Sequence, residues 1–227
     1  MKLIKFYLSA PLQSWGEDAR WDLRATASMP AKSAIVGLLG CCLGYPRGDE
    51  RLNALNAALS IAVRADRPGR VMTDYHTVQG TNGVMLNAEG KPRGGGSTII
   101  TPKQYLQDAC FTVFVWGEET VLDACYNAML HPKWTAYLGR KSCVPAVPLI
   151  PVWVEAVSPE EAVVSITDSE KKRCASVVHV EMDFCPNEAL SADQRMTTRH
   201  DAVKRADLNE YSVRQVKAYS LLIGGGK

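Results

Sequence analysis

Cys110-Phe111-Thr112-Val113-Phe114-Val115-Trp116 is apolar on both alternations, the composition of a central strand covered above and below. Immediately after it, Glu118 and Glu119 open a helix carrying Leu122, Cys125 and Met129, and acidic residues suit its positive end. His131-Pro132 stops that helix. Before the strand lies a glycine-rich excursion, residues 69–102, whose stretch Gly90-Lys91-Pro92-Arg93-Gly94-Gly95-Gly96 cannot be a buried element. Short apolar pieces at 84–86 and 98–101 flank its centre, which predicts a protruding hairpin. Further back, Ile61-Ala62-Val63-Arg64-Ala65 reads as a strand, and Leu52, Leu55 and Leu59 as the face of a helix. Pro30 opens an earlier helix with Ile35, Leu38, Leu39, Cys42 and Leu43 on its apolar side, and Gly44 and Pro46 close it. Its Gly37 and Gly40 are expected to let it pack closely on a sheet. Ile4, Phe6 and Leu8 make the first strand, and Pro11-Leu12-Gln13-Ser14-Trp15-Gly16 breaks it. Strand, helix, helix, strand, excursion, strand, helix is an α+β order close to a ferredoxin-like unit with a large insertion.

The 227 residues suffice for one large domain or two small ones, and 46% hydrophobic with 22% charged residues excludes wholesale disorder. The apolar run at 35–43 is far too short to span a bilayer, and no signal peptide is expected at Met1-Lys2-Leu3-Ile4-Lys5. A net charge of +2 decides nothing about nucleic acid, but it is uneven. Residues 1–110 hold 13 Lys+Arg against 9 Asp+Glu, whereas residues 111–227 hold 13 against 15. The first half is the better face for a polyanion. Seven cysteines without a Cys-x-x-Cys pair exclude a zinc ribbon and read as buried free thiols of a reducing, cytoplasmic compartment.

Several constellations carry chemistry in principle. His179, Glu181 and Asp183 share one face of an alternating strand whose other face is Val178, Val180, Met182 and Phe184; the triplet is a metal set or, as we read it, a solvated face. Gly139-Arg140-Lys141-Ser142 joins two cations and a hydroxyl to a glycine turn, suited to a phosphate or to an ordinary basic turn. His76, in Asp74-Tyr75-His76-Thr77-Val78, either anchors the root of the excursion or acts in acid–base cleavage of RNA. Around the excursion, Lys91, Arg93 and Lys103 against Glu89 leave positive charge suited to a nucleic-acid backbone.

Read together, Pro11-Leu12-Gln13-Ser14-Trp15-Gly16, Pro30-Ala31-Lys32-Ser33 leading into Gly37-Leu38-Leu39-Gly40, Asp74-Tyr75-His76-Thr77-Val78, Tyr105-Leu106 with Asp108-Ala109, and Tyr137-Leu138-Gly139-Arg140-Lys141-Ser142-Cys143 with Pro145 resemble the CasD family. That family binds the guide-RNA 5′ handle in type I-E CRISPR Cascade. The resemblance covers about residues 1–155 and, loosely, 199–217. It implies a ferredoxin-like, RNA-recognition-like palm over residues 1–155, a β-hairpin thumb at about 75–103, and a small strand-rich C-terminal part over 156–227. It further implies a non-catalytic subunit of an antiviral complex, without cofactor or metal. Its partners would be the handle, the Cascade backbone and large subunits and, through the complex, target DNA; a membrane would not be among them. The RNA-binding set it implies is Trp15, Arg24, Lys32, Ser33, Tyr75, His76, Lys91, Arg93, Lys103, Arg140, Lys141 and Ser142, with Trp15 either stacking on a base or packing in the core. Lys32 and Ser33 would meet a phosphate at the start of the first helix. The alternative is a metal-independent endoribonuclease using Tyr75, His76 and Lys141, as in the type I-C branch; a third reading is a generic protein-interaction module.

Overall fold

The computed structural model describes residues 1–16, 23–80, 83–87, 89–93, 98–184 and 189–223. In chain order its elements are β1 (Lys2–Ser9), β2 (Leu12–Gln13), α1 (Lys32–Leu43), α2 (Arg51–Ala58), β3 (Leu59–Arg67), β4 (Arg70–Gln79), β5 (Thr98–Gln107), β6 (Cys110–Gly117), α3 (Glu119–Leu130), β7 (Val152–Glu155), α4 (Pro159–Val164), α5 (Asp168–Lys171), β8 (Val177–Asp183), β9 (Arg195–Arg205) and β10 (Glu210–Leu222). Seven strands form one sheet in the order β7-β1-β6-β3-β8-β10-β9, every pair antiparallel. Its first four strands are the ferredoxin-like set, with the helices after β1 and β6 on one face. The residues read as a central strand are one: β6 lies between β1 and β3, with Phe111, Val113, Phe114 and Val115 fully buried.

Ile4, Phe6, Leu8, Ile61, Val63, Phe111, Val113 and Val115 point to the helix side, where Ile35, Leu39, Leu122 and Cys125 meet them. Gly44 ends α1 in the left-handed conformation, φ 77°, as a glycine C-cap does. The two glycines inside α1 do not serve the sheet as expected. A Cβ on Gly40 would run into Leu52 of α2, whereas Gly37 faces open space. Six described cysteines are free thiols, four of them buried. Burial pushes Cys42 up to about 11 and Cys125 to about 12, so both stay protonated and inert at neutral pH.

The thumb strands β4 and β5 pair over their whole length, from Arg70↔Gln107 to Gln79↔Thr98, and β2 completes their own three-stranded sheet. The strands therefore begin five residues before the expected 75 and end four after 103. The glycines at 94–96 lie outside the described residues. The boundary expected at 155/156 is crossed by β3–β8 pairing, and Val180, Met182 and Tyr219 share a core with Leu3, Ala62 and Phe114. Residues 177–222 thus widen the palm sheet by three strands. Val178, Val180 and Met182 are buried as their alternation predicts, but the other face is not simply solvated. His179 bonds Ser220, Glu181 pairs with Arg199, and Asp183 is buried against Lys32 and Arg214. Among the described residues no His/Cys/Asp/Glu group could hold a metal, and no helix is long and apolar enough to cross a membrane.

The sheet face opposite α1 and α3 is where an RNA-recognition module stacks bases. Here α4 and α5 cover it. Arg64, wholly buried in β3, donates to Asp66 Oδ1 (2.6 Å), the Val163 carbonyl (2.7 Å) and Glu170 Oε1 (3.4 Å). Tyr7 (2.8 Å), Lys5 (3.3 Å) and Arg173 (3.3 Å) donate to the same Glu170 oxygen. Burial alone would raise the Glu170 carboxyl, but hydrogen bonds from the Thr167 backbone and Tyr7 and the charges of Lys5 and Arg64 reverse this and hold it at about 2. A carboxyl depressed in the folded state stabilises the fold above its ordinary value near 4.5, and that stability is lost as pH falls toward 2. Glu170→Gln should cost roughly 3 kcal/mol at neutral pH, since Lys5 loses its carboxylate partner and Arg64 keeps only Asp66 of its two. Thermal melts between pH 7 and 2.5 should show a flatter acid limb in the variant than in the wild type.

Candidate nucleic-acid interface

The turn Gly139-Arg140-Lys141-Ser142 is built against the chain just after β2. Gly139 has φ +89°, and a Cβ there would overlap the Ser14 carbonyl oxygen, so no other residue fits. Ser14 N–H donates to the Leu138 carbonyl (3.1 Å), and Leu138 and Cys143 N–H groups close the turn on Cys143 and Arg140 carbonyls (both 2.8 Å). Arg140 points away from solvent. Its guanidinium donates to the carbonyls of Gln104 (3.1 Å) and Arg24 (2.9 Å) and lies 4.6 Å from the Tyr105 ring centroid. Arg24 itself bridges Lys103, its N–H donating to the Pro102 carbonyl (3.0 Å). Arg140 therefore ties the turn to the thumb root, and Lys141 and Ser142 remain exposed.

Trp15 resolves to the core: it is 2% exposed, and its indole N–H donates to Gln13 Oε1 (3.2 Å). Lys32 also departs from expectation. Its backbone N–H donates to Asp201 Oδ2 (2.7 Å) and its ammonium to Asp183 Oδ2 (3.2 Å), while Arg214 pairs with both carboxylates. The anion at the positive end of α1 is the protein's own Asp201. Lys32 is 7% exposed and committed to Asp183, so it is a structural cation as the fold stands.

Ser33 faces outward into a cleft of about 790 Å³. One wall is α1 with Ser33 and Gly37; a second is the Trp134–Lys141 segment; a third is the end of the β9–β10 hairpin. Tyr45, Arg47, Trp134, Tyr137, Lys141 and Tyr211 contribute the rings and charges. No carboxylate lines it among the described residues, and neither Arg47 nor Lys141 has an ion-pair partner there. Trp134 and Tyr211 are exposed, Tyr137 is half-buried, and the Tyr45 ring is covered by Arg51 (4.1 Å to the centroid). Two exposed rings beside cations with no ion pair among the described residues, on a wall thinned by Gly37, suit an unpaired polyanion with flat bases.

Of the expected set, Ser33 and Lys141 meet in this cleft and Ser142 adjoins it in sequence. Lys91, Arg93, Lys103, Tyr75 and His76 are on the thumb, where Lys91 pairs with Glu89 (3.3 Å). Tyr75 and His76 are neighbours on β4 and project from opposite faces, and neither lines the cleft that Lys141 lines. His76 instead lies 3.7 Å from Asp74. Sequence reasoning missed Tyr45 and Arg47, which follow the α1 cap, as well as Trp134 and Tyr211. A Gly-Tyr-Pro-Arg-Gly run directly after a helix was the available signal for the first two. Arg140→Ala should destabilise by about 2–3 kcal/mol, since two charged hydrogen bonds to backbone are lost, and Lys141→Ala by less than about 0.5 kcal/mol. Thermal melts of the two variants check this contrast.

Comparison with known proteins bears on the whole of this architecture. The family model for CRISPR-associated protein Cas5 (Cas_Cas5d) matches residues 3–216. CRISPR system Cascade subunit CasD of Escherichia coli (strain K12) is 37% identical over 172 residues, covering 70% of this chain and 74% of that protein. A chain of a solved CRISPR RNA-guided surveillance complex superposes with a TM-score of 0.74 at 29% identity, over 97% of this chain and 90% of that one. A crystal structure titled as a Cas protein shares the fold, with a TM-score of 0.62 at 24% identity over 97% and 95% of the two chains. With palm, thumb and nearly all of the added strands inside the matched span, the chain belongs to the CRISPR-associated Cas5 family.

Proposed function

We propose that this chain is a non-catalytic, RNA-holding subunit of a Cascade-type CRISPR surveillance complex. It holds the 5′ handle of the guide RNA, touches the backbone and large subunits, and acts on target DNA only through the complex. The observation that carries the RNA reading is the cleft: Arg47 and Lys141 without an ion-pair partner among the described residues, the exposed rings of Trp134 and Tyr211, and no described carboxylate, in one concavity. The comparisons support the complex, since the relatives are a Cascade subunit and a chain of an RNA-guided surveillance complex. Thumb residues Val71, Tyr75 and Ile100 share one face and are 50–67% exposed, an apolar surface suited to a neighbouring subunit. Against nuclease action stands the separation of Tyr75 from His76 on the two faces of β4.

Arg47→Glu with Lys141→Glu should weaken binding of labelled single-stranded handle RNA and lower the slope of log K against log salt by roughly 0.7 per lost phosphate contact. An unchanged slope removes the cleft from the RNA site. In the same assay with EDTA the wild type should bind and not cut; cleavage abolished by His76→Ala would overturn the non-catalytic reading.

A second expectation concerns the thumb. Replacing residues 80–97 by Asn-Gly leaves the terminal pair Gln79↔Thr98 to be closed by a two-residue turn, so the protein should fold. Copurification should then show loss of backbone subunits and guide RNA, with thermal melts unchanged within a few degrees.

A further inference from the structure

The third wall of the cleft comes from the part of the chain in which the sequence carries no evident function. Strands β9 and β10 form a long antiparallel ribbon whose end brings Val203, Ala206, Asn209 and Tyr211 to the cleft. This end is fixed to the palm. Ala206 N–H donates to Asn53 Oδ1 (3.0 Å), Asn56 Nδ2 donates to the Val203 carbonyl (3.4 Å), and lower down Arg214 and Asp201 anchor the ribbon on the α1 N-terminus. A wall held this way presents side chains on a rigid support.

The ribbon is also irregular at this point. Its register shifts between Glu210 and Tyr211 and again between Ser212 and Arg214, and such bulges re-aim side chains. Asn209 holds φ 51°, the left-handed conformation that asparagine tolerates and most residues avoid. Its amide makes no hydrogen bond among the described residues and offers both donors and an acceptor. Tyr211 is 37% exposed. The acidic groups beside them are already engaged: Glu210 holds Lys204 and Asp207 holds Arg205. Of the cleft's two cations, Lys141 stands on the second wall, and Arg47 adjoins Gly48, which packs against Ala206 and Asp207 of the ribbon end.

From the exposed Tyr211 ring and the unengaged Asn209 side chain at the cleft we infer that the β9–β10 tip reads a base of the bound RNA, with Tyr211 as stacking platform and Asn209 as a contact to the base edge. The phosphates face Arg47 and Lys141. Phosphate contacts set register and base contacts select, so the ribbon end is the selective wall of the cleft. The inference rests on the RNA reading of the cleft given above.

The test uses the full chain and fluorescence anisotropy with eight-nucleotide single strands of A, C, G or U, plus versions with one abasic residue at successive positions. Tyr211→Leu keeps apolar bulk and removes stacking. It should lower affinity about tenfold with the salt slope unchanged, whereas Tyr211→Phe should bind as wild type. An abasic residue at the read position should weaken the wild type and leave Tyr211→Leu unaffected. Asn209→Ala should change the ranking of the four oligomers. If Tyr211→Leu and Asn209→Ala bind and rank as wild type while Arg47→Glu/Lys141→Glu loses binding, the ribbon end is not a reader and the cleft reading survives. If the wild type binds no oligomer, or the charge-reversed variant binds equally well, the cleft reading falls and this inference with it.

Discussion

Two carboxylates and two cations at the start of α1 hold the site together. Asp183 reaches from β8 to the Lys32 ammonium, the Arg214 guanidinium and the backbone N–H of Ile61 (3.0 Å), so a single side chain touches α1, β3 and β10. Asp201 from β9 completes the set at the Lys32 backbone and Arg214. Burial works against the Arg214 charge, and hydrogen bonds and charges from the two aspartates outweigh it, raising its affinity for the proton. Remove this cluster and the added strands lose their anchor on α1, leaving the cleft's third wall held by the Asn53 and Asn56 contacts of α2 and by β3–β8 pairing.

The same logic explains where the cleft lies. A ferredoxin-like sheet has one face for its helices and one face open to a ligand, and here the open face is closed by α4, α5 and the Arg64–Glu170 network. The free concavity has moved to the helix side, between α1, the Gly139 turn and the ribbon end. The thumb root is joined to that same turn through Arg140 and the Gln104 and Arg24 carbonyls. Palm and added strands thus meet at one concavity, and the thumb root is tied to its wall, although they come from distant parts of the chain.

Much of the palm was legible in the sequence. An unbroken apolar run marks β6, helical spacing marks α1 and α3, Gly44 and His131-Pro132 mark helix ends, and the glycine-rich excursion marks the thumb. What was not legible is which polar residues are already spoken for. Lys32 looks like a free cation at a helix start, but its partners are 151 and 169 residues away in sequence. Arg140 and Lys141 are adjacent and chemically alike, yet one is locked to backbone carbonyls and the other is exposed. Trp15 carries a polar handle that only the placement of Gln13 assigns to the core. Local patterns reveal elements; the commitment of a charge depends on long-range pairing.

The strand order has a consequence for how the chain is made. Strand β3 is flanked by β6 and β8, and β8 leaves the ribosome about 60 residues after β6, some seconds later at ordinary elongation rates. Until then one edge of β3 has no strand partner, and Arg64, paired with Asp66 of its own strand, lacks its second carboxylate, Glu170, until α5 is made. A nascent chain halted in that interval offers an unpaired apolar strand edge to its neighbours. Strand β8, which carries the ribbon that walls the cleft, thus also seals the growing palm against self-association.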